Sequence, residues 1–344
     1  MTKVLFDITH PAHVNFFYHL ISRLEKKGVS IDIVTLQRGR LVDILSKEYS
    51  TIHYDVINKH RSNYFNLIFQ TGISRIFSLF RNYLCKNYDV FIGVAAFQLA
   101  LLGKFKNTKS IVFYDDPEYK LNYLPSKLMA DVFYLPQTCG VFGNNIFLVN
   151  CAKEWAYLSP KYFKPNLDAL RKYGLSPYRY IFVREVSNKT MNYRKQKRRM
   201  IERVHEMDIN YPVLFSLEDH SRKHLYHKWR LLQEPVFDIH SLMYYSKLII
   251  SDGDSMAREG ALLGSRSIYC GSREMKINRG LIQRGLLKKF NDDDELKKEV
   301  RLTIDKKEST ESIRCRQDSI RNSLLNEWID INKILFQEIT GGLN

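Results

Sequence analysis

The chain has 344 residues, beyond the size at which one hydrophobic core usually stops growing, so two domains are expected. With 44% hydrophobic and 13% aromatic residues it has ample material for packed cores, which excludes disorder as a description of the whole. A formal net charge of +16 calls for an anionic partner or surface, whether a phosphate-bearing ligand, acidic lipid or nucleic acid. The cysteines at 85, 139, 151, 270 and 315 are odd in number, scattered and without metal-ligand spacing. Reduced thiols in a cytosolic protein, and no zinc site, are the expectation.

The chain opens on Lys3-Val4-Leu5-Phe6-Asp7-Ile8, a strand-like run with no basic leader and no small-residue cleavage pattern, so no secretory signal is expected. Further apolar runs at 31–35, 52–54, 90–94, 110–113 and 132–135 are separated mostly by helix-length segments. This alternation predicts a parallel sheet with crossover helices. Between Lys59 and Lys86, basic and aromatic residues mix: Arg61, Tyr64, Phe65, Phe69, Arg75, Phe77, Phe80, Arg81 and Tyr83. The composition suits an amphipathic helix on an anionic membrane, and equally a core helix with a basic outer face. The longest apolar stretch, 90–103, falls short of the roughly 18 to 20 residues of a membrane span and reads as a strand and a buried helix. Asp115-Asp116-Pro117-Glu118 follows a predicted strand. Asp116 is a candidate to activate an acceptor hydroxyl, although a helix N-cap followed by proline explains the same letters.

Prolines at 160, 165 and 177 punctuate the middle of the chain, after which apolar runs resume at 180–183, 213–216, 236–237, 248–251 and 267–269. They predict a second α/β domain. Charge concentrates in Arg194-Lys195-Gln196-Lys197-Arg198-Arg199. His220, His224 and His227 share one face of a predicted helix, where solvated histidines are the expectation and metal ligation the alternative. From 308 to 339 a stripe of Ile313, Ile320, Leu324, Trp328, Ile331, Leu335 and Phe336 predicts helix. The expected division is 1–165 for the first domain, 166–325 for the second, and 326–344 for a C-terminal helix crossing back to the first.

The most informative stretch is 238–264, which reads as short helix, buried strand, tight turn at Asp252-Gly253, and a second helix with Ser255 as its N-cap. A helix N-terminus at the carboxyl end of a strand offers free N–H groups and a positive dipole end, so a diphosphate is expected on Ser255 and Met256. Glu259 lies about one turn further in, where a carboxylate can accept both hydroxyls of a ribose. The alternative is a solvated helix residue. Asp252-Gly253-Asp254 also fits the D-x-D pattern of metal-dependent transferases, but three residues specify little, and no metal is expected.

Three motifs taken together carry a resemblance: Asp7-Ile8-Thr9-His10-Pro11-Ala12-His13-Val14 with Phe16-Phe17, then Tyr157-Leu158-Ser159-Pro160-Lys161-Tyr162-Phe163-Lys164-Pro165, then the 238–264 segment. In this order they resemble the domain of unknown function 354 family, over Lys3 to about Asn291. That family is similar to the GT-B superfamily of glycosyltransferases and the UDP-GlcNAc 2-epimerases. The resemblance implies an α/β fold of two Rossmann-like doubly wound domains facing a central cleft, with a nucleotide sugar as donor substrate and no other cofactor. It also implies roles. His13 stands where the peptidoglycan N-acetylglucosaminyltransferase has its loop histidine, a candidate general base whose alternative is a helix residue bonded to backbone; His10 shapes the loop. Ile239 and Leu242 match the segment that holds the nucleobase, Asp252, Ser255, Met256 and Glu259 the phosphate and ribose site. Arg184 matches a contact to the donor diphosphate, its alternative being an ion pair with Glu185 or Asp219. The sequence departs from the family at Asp254, where an uncharged polar residue is usual and a carboxylate would repel a diphosphate unless a metal or arginine intervenes.

The function this implies is a metal-independent glycosyltransferase of surface-polysaccharide biosynthesis, passing a sugar from a nucleotide-diphosphate donor to a lipid-linked or glycan acceptor. It is expected in the cytoplasm, peripheral on the anionic inner membrane surface. The rivals are a nucleotide-sugar 2-epimerase and a non-catalytic basic protein that binds nucleic acid or an acidic polymer. No nucleic-acid motif is present, and no nucleic-acid partner is expected.

Overall fold

A computed structural model describes residues 1–59, 72–187, 200–207, 209–233, 236 and 238–341. The chain divides into two compact units, Met1–Tyr157 with Trp328–Asn344, and Leu158–Glu327.

The first unit alternates strand and helix: β1 (Lys3–Ile8), α1 (Pro11–Lys26), β2 (Ser30–Gln37), α2 (Leu41–Glu48), β3 (His53–Lys59), α3 (Ser74–Tyr83), β4 (Val90–Val94), α4 (Phe97–Lys106), β5 (Lys109–Phe113), α5 (Lys120–Met129), β6 (Val132–Pro136), β7 (Ile146–Val149) and α6 (Trp155–Leu158). Its seven strands are all parallel, in the order β3-β2-β1-β4-β5-β6-β7. Strands covered on both faces read as unbroken apolar runs, which is why the central ones were legible. Register places Leu5, Phe91, Val112 and Phe133 on one face. Leu79 and Tyr83 of α3, Leu99 and Leu102 of α4, and Tyr123 of α5 pack on that face. On the other, the rings of Phe16 and Phe17 in α1 meet Phe113 and Phe6 at 4.9 and 5.1 Å. At the carboxyl end of β1 the buried Asp7 pairs with the buried Arg75 at 2.5 Å, and Arg75 also donates to the Thr35 and Ile57 carbonyls.

The second unit contains α7 (Asp168–Arg171), β8 (Ile181–Glu185), α8 (Met200–His205), β9 (Val213–Leu217), β10 (Arg230–Leu231), α9 (Ile239–Tyr244), β11 (Leu248–Ser251), α10 (Asp254–Leu262), β12 (Ser267–Tyr269), α11 (Lys276–Gln283), β13 (Lys288–Lys289), α12 (Asp293–Asp305) and α13 (Thr310–Glu327). Its strands are again all parallel, in the order β10-β9-β8-β11-β12-β13. The last helix, α14 (Ile331–Thr340), belongs to the first unit: the Arg23 guanidinium lies 4.0 Å over the Phe336 ring, and Glu338 accepts from Lys109 and Tyr134.

Several expectations need correction. The edge of the second sheet is the strand Arg230–Leu231, pairing with β9, a segment that showed no apolar run; of the strand expected at 236–237, Val236 is in no strand and Phe237 lies outside the described residues. The histidine segment is a 3-10 helix over His220–Tyr226. At three residues per turn it breaks the shared face that α-helical spacing gave His220, His224 and His227. Among the described residues no group of three or more His, Cys, Asp or Glu is placed to hold a metal ion. In the 59–86 stretch, Arg75 and Tyr83 turn inward, to Asp7 and to Asp55, so the two are core residues and face no membrane. Arg61, Tyr64, Phe65 and Phe69 lie outside the described residues, as does the basic run 194–199. Among the described residues no helix is long and apolar enough to cross a membrane.

Candidate functional site

In each sheet the strand order reverses once, between β1 and β4 in the first and between β8 and β11 in the second. Open parallel sheets bind ligands outside the carboxyl ends of their strands at such a reversal. His10 and His13 follow β1 at the first reversal, and Arg184, Asp252, Ser255, Met256 and Glu259 lie at the second, whereas Asp116 follows β5.

In the second unit Arg184 on β8 is in register with Ser251 on β11. Beyond them Asp252 turns back: its Oδ1 accepts from the Val186 amide at 2.7 Å, tying the two strand exits together. Gly253 caps α10, and a Cβ there would stand 2.6 Å from Val186 Cγ1. Ser255 is therefore not the N-cap but the second residue of the helix. The first intrahelical bond runs from Ala257 N–H to the Gly253 carbonyl, so the amides of Asp254, Ser255 and Met256 precede it. Glu259 is four residues past Ser255 and on the same helix face. It is buried, with its Oε1 3.5 Å from His240 Nε2. The carboxylate of Asp254 lies 3.3 Å from Arg273 and 4.0 Å from Arg258, so two guanidinium groups offset the charge that departs from the family pattern. Both D-x-D carboxylates are thus engaged, one by a backbone amide and one by arginines.

Arg184 is half-buried and donates to Ser216 Oγ at 2.8 Å, with Glu218 at 3.4 Å. The ion pair expected with Glu185 or Asp219 is not the one it makes. Glu185 is taken by Arg222 at 2.6 Å and by the Tyr226 hydroxyl. Ile239 is half-buried in the first turn of α9. Leu242 is wholly buried, and its carbonyl accepts from the Tyr180 hydroxyl, so its side chain packs inside the domain. Asp238 caps α9 through Ser241, whose Oγ in turn accepts from the Asn166 amide at 2.8 Å. The Pro-rich motif is fastened to the same helix: Tyr245 donates to the Pro165 carbonyl, and the Phe163 ring packs edge-on against His240 at 6.1 Å.

In the first unit His10 caps α1, accepting from the Ala12 amide at 3.1 Å, with Pro11 in the first helical position. His13 Nδ1 accepts from the Thr9 amide at 3.4 Å. Both imidazoles are held well below the usual histidine range, mainly by burial and further by Arg38 and Lys153. Both are therefore neutral at pH 7, and the bond to Thr9 assigns the His13 proton to Nε2. In that tautomer Nε2 is a donor, and taking up a proton requires exchange of tautomer. Lys153 Nζ pairs with Asp115 at 2.8 Å and lies 3.9 Å from Glu154, while Arg38 donates to the Thr9 carbonyl. Asp116 is half-buried; α5 begins only at Lys120, behind Tyr119, so Asp116 is not its cap. Arg38, Lys153, His240 and Arg273 were not singled out from the sequence as site residues, since nothing local marks them.

Residues 161–330 match the family described as "Protein of unknown function (DUF354)". The match begins inside the Pro-rich motif and contains all of Arg184, Ile239, Leu242, Asp252, Ser255, Met256 and Glu259. The match starts later than the expected Lys3 and runs beyond the expected end near Asn291, and the histidine motif lies outside it. No curated protein matches the sequence. Solved structures match over nearly the whole chain at low identity. A putative UDP-N-acetylglucosamine 2-epimerase from Listeria monocytogenes is 15% identical with a TM-score of 0.68, covering 100% of this chain and 97% of its own. The UDP-GlcNAc 2-epimerase of Methanocaldococcus jannaschii, solved with UDP-GlcNAc and UDP, is 15% identical at 0.67, covering 94% and 100%. The glycosyltransferase of kitacinnamycin is 10% identical at 0.66, covering 100% and 99%. This chain shares their fold, two Rossmann-like domains of the GT-B type.

Proposed function

We propose that this chain is a GT-B-type glycosyltransferase that passes a sugar from a nucleoside-diphosphate donor to a hydroxyl on a lipid-linked or glycan acceptor, in surface-polysaccharide assembly in the cytoplasm. The observation that carries the reading is the start of α10, where the amides of Asp254, Ser255 and Met256 stand at the strand reversal with Glu259 on the same face. Those amides suit a diphosphate, and the carboxylate suits the ribose hydroxyls. Arg184 supplies positive charge for the leaving diphosphate, and Ile239 and the backbone of its turn supply the base contact. In the transfer the acceptor oxygen bonds to the anomeric carbon, the bond from that carbon to the diphosphate oxygen breaks, and the electron pair leaves with the nucleotide. The acceptor proton passes to Asp116 or to His13, the latter after tautomer exchange. Because the D-x-D carboxylates are already engaged by an amide and by arginines, no step is assigned to a metal.

Calorimetric titration of UDP, GDP, CDP and dTDP tests the donor site. Selective binding of one nucleotide that weakens in Glu259→Ala supports it; binding indifferent to Glu259 and abolished by salt would remove it and favour the basic-polymer reading. A second reading, nucleotide-sugar 2-epimerase, is favoured by the gathering of Asp115, Lys153 and two neutral histidines at the carboxyl ends of the first sheet, groups suited to proton transfer at a sugar carbon. Product analysis in the absence of any acceptor separates the two.

A further inference from the structure

Helices α3, α4 and α5 cover one face of the first sheet, and α4 packs against both of the others. Each has ten residues, and together they carry six Lys or Arg and no Asp or Glu. Helix α12 of the second unit, in contrast, has five acidic residues in thirteen, so the bias is not a uniform expression of the net charge. Arg75 is spent inward on Asp7. The other five cations, Arg81, Lys104, Lys106, Lys120 and Lys127, are exposed or half-buried.

Among these cations stand large apolar side chains. Phe77 of α3, Phe105 of α4 and Leu121, Leu124 and Leu128 of α5 are each 50–72% exposed. The three leucines, at i, i+3 and i+7, form one stripe. The Phe80 and Phe105 rings, 5.5 Å apart, join α3 to α4. Phe142, also exposed, stands in a loop whose Asn145 donates to the Lys127 and Ala130 carbonyls at the end of α5. Scattered exposed apolar residues need no explanation, but five large ones on three adjacent helices do. A protein partner would be expected to meet charges of both signs. A surface of aromatic and leucine side chains set among lysines, without a single carboxylate on its helices, matches instead an acyl boundary beneath a layer of phosphates.

We propose that the outer surface of α3, α4 and α5 docks the first domain on a bilayer that contains anionic phospholipid. The apolar side chains enter the acyl boundary, and the lysines reach headgroup phosphates with their stems lying along the apolar surface. This surface is argued without reference to the nucleotide site, so either can fail alone.

Co-sedimentation of the full chain with phosphatidylcholine vesicles, with and without phosphatidylglycerol, tests the proposal. Binding should be at least about tenfold stronger with phosphatidylglycerol and fall with salt, as expected for several basic residues near an anionic surface. Two variants are compared, an apolar one (Phe77→Ser, Leu124→Ser, Leu128→Ser) and a charge one (Lys104→Glu, Lys127→Glu), with thermal unfolding as the check on folding. Each should lose about tenfold or more in partitioning. If the apolar variant does not fold, the charge variant carries the test. No binding by the wild type, or binding undiminished in the folded variants, would overturn the proposal. So would a change from dimer to monomer in the variants by sedimentation velocity, which would make the face a contact between copies of the chain.

Discussion

Replacing Glu259 by Gln keeps the size of the side chain and removes the charge that the ribose reading requires. The carboxylate is buried beside His240, so its hydrogen bonds are sheltered from water. A hydrogen bond to a charged group contributes about 1.5–3 kcal/mol, and two ribose hydroxyls on one carboxylate make two such bonds. Glutamine retains one acceptor oxygen, so the expected loss is about one bond, roughly 10- to 100-fold in Kd. The assay is calorimetry with whichever of UDP, GDP or CDP binds, and with its 2′-deoxy and 3′-deoxy counterparts. Wild type should discriminate against the 2′-deoxy and the 3′-deoxy nucleotide by about tenfold or more each, and Glu259→Gln should lose most of its discrimination against one of the two. Discrimination against both deoxy forms unchanged in Glu259→Gln would place the effect of Glu259 elsewhere and refute the ribose assignment.

His240→Ala should weaken ribonucleotide binding without matching loss for the deoxy forms, because the His240 ring stands 3.5 Å from the Glu259 carboxylate and positions it; calorimetry on the same ligands checks it. Breaking the buried Asp7–Arg75 pair by Arg75→Ala should cost about 3–5 kcal/mol in urea unfolding, whereas Asp7→Leu with Arg75→Leu should cost much less, since it leaves no lone charge. Gly271→Ala should destabilise by about 1–3 kcal/mol, because the added Cβ would stand 2.3 Å from the Asp252 carbonyl, backbone that cannot swing aside. The pH dependence follows from His13, whose folded-state pKa lies below its ordinary 6.5. The unfolded chain takes up the proton first, so stability is constant above that value and falls as pH drops through it. His13→Gln should flatten the thermal-midpoint profile below pH 6.5; an unchanged profile would refute the burial argument.

The fold was legible wherever a strand is buried on both faces. Runs such as those at Val90–Val94 and Leu248–Ser251 show their burial in their own letters. The edge strands Arg230–Leu231 and Lys288–Lys289 did not, being two residues long and defined by their pairing rather than by composition. The strand-turn-helix at 248–262 was readable because its geometry is local. Its cap was misplaced by two residues because Ser255 looks like a cap, while the actual requirement, a residue without Cβ beside Val186, comes from another strand. The partners of Glu259, Asp254 and Asp115 are His240, Arg273 and Lys153, 19 to 38 residues away, and only the folded sheet brings them together. The low pKa of His13 was invisible for the same reason, since burial and two distant cations cause it.

The return of the chain to its first unit after Glu327 makes the second unit an insertion within the first. The two ends of the interrupted domain are fastened together: the Trp155 and Trp328 rings meet edge-on at 5.4 Å, and Asn332 donates to the Ala156 carbonyl at 2.8 Å. During synthesis the first sheet emerges early but must wait for α14, so the inserted domain is complete before its host can close. A stop codon shortly before Trp328 would therefore injure the half of the protein that was made first.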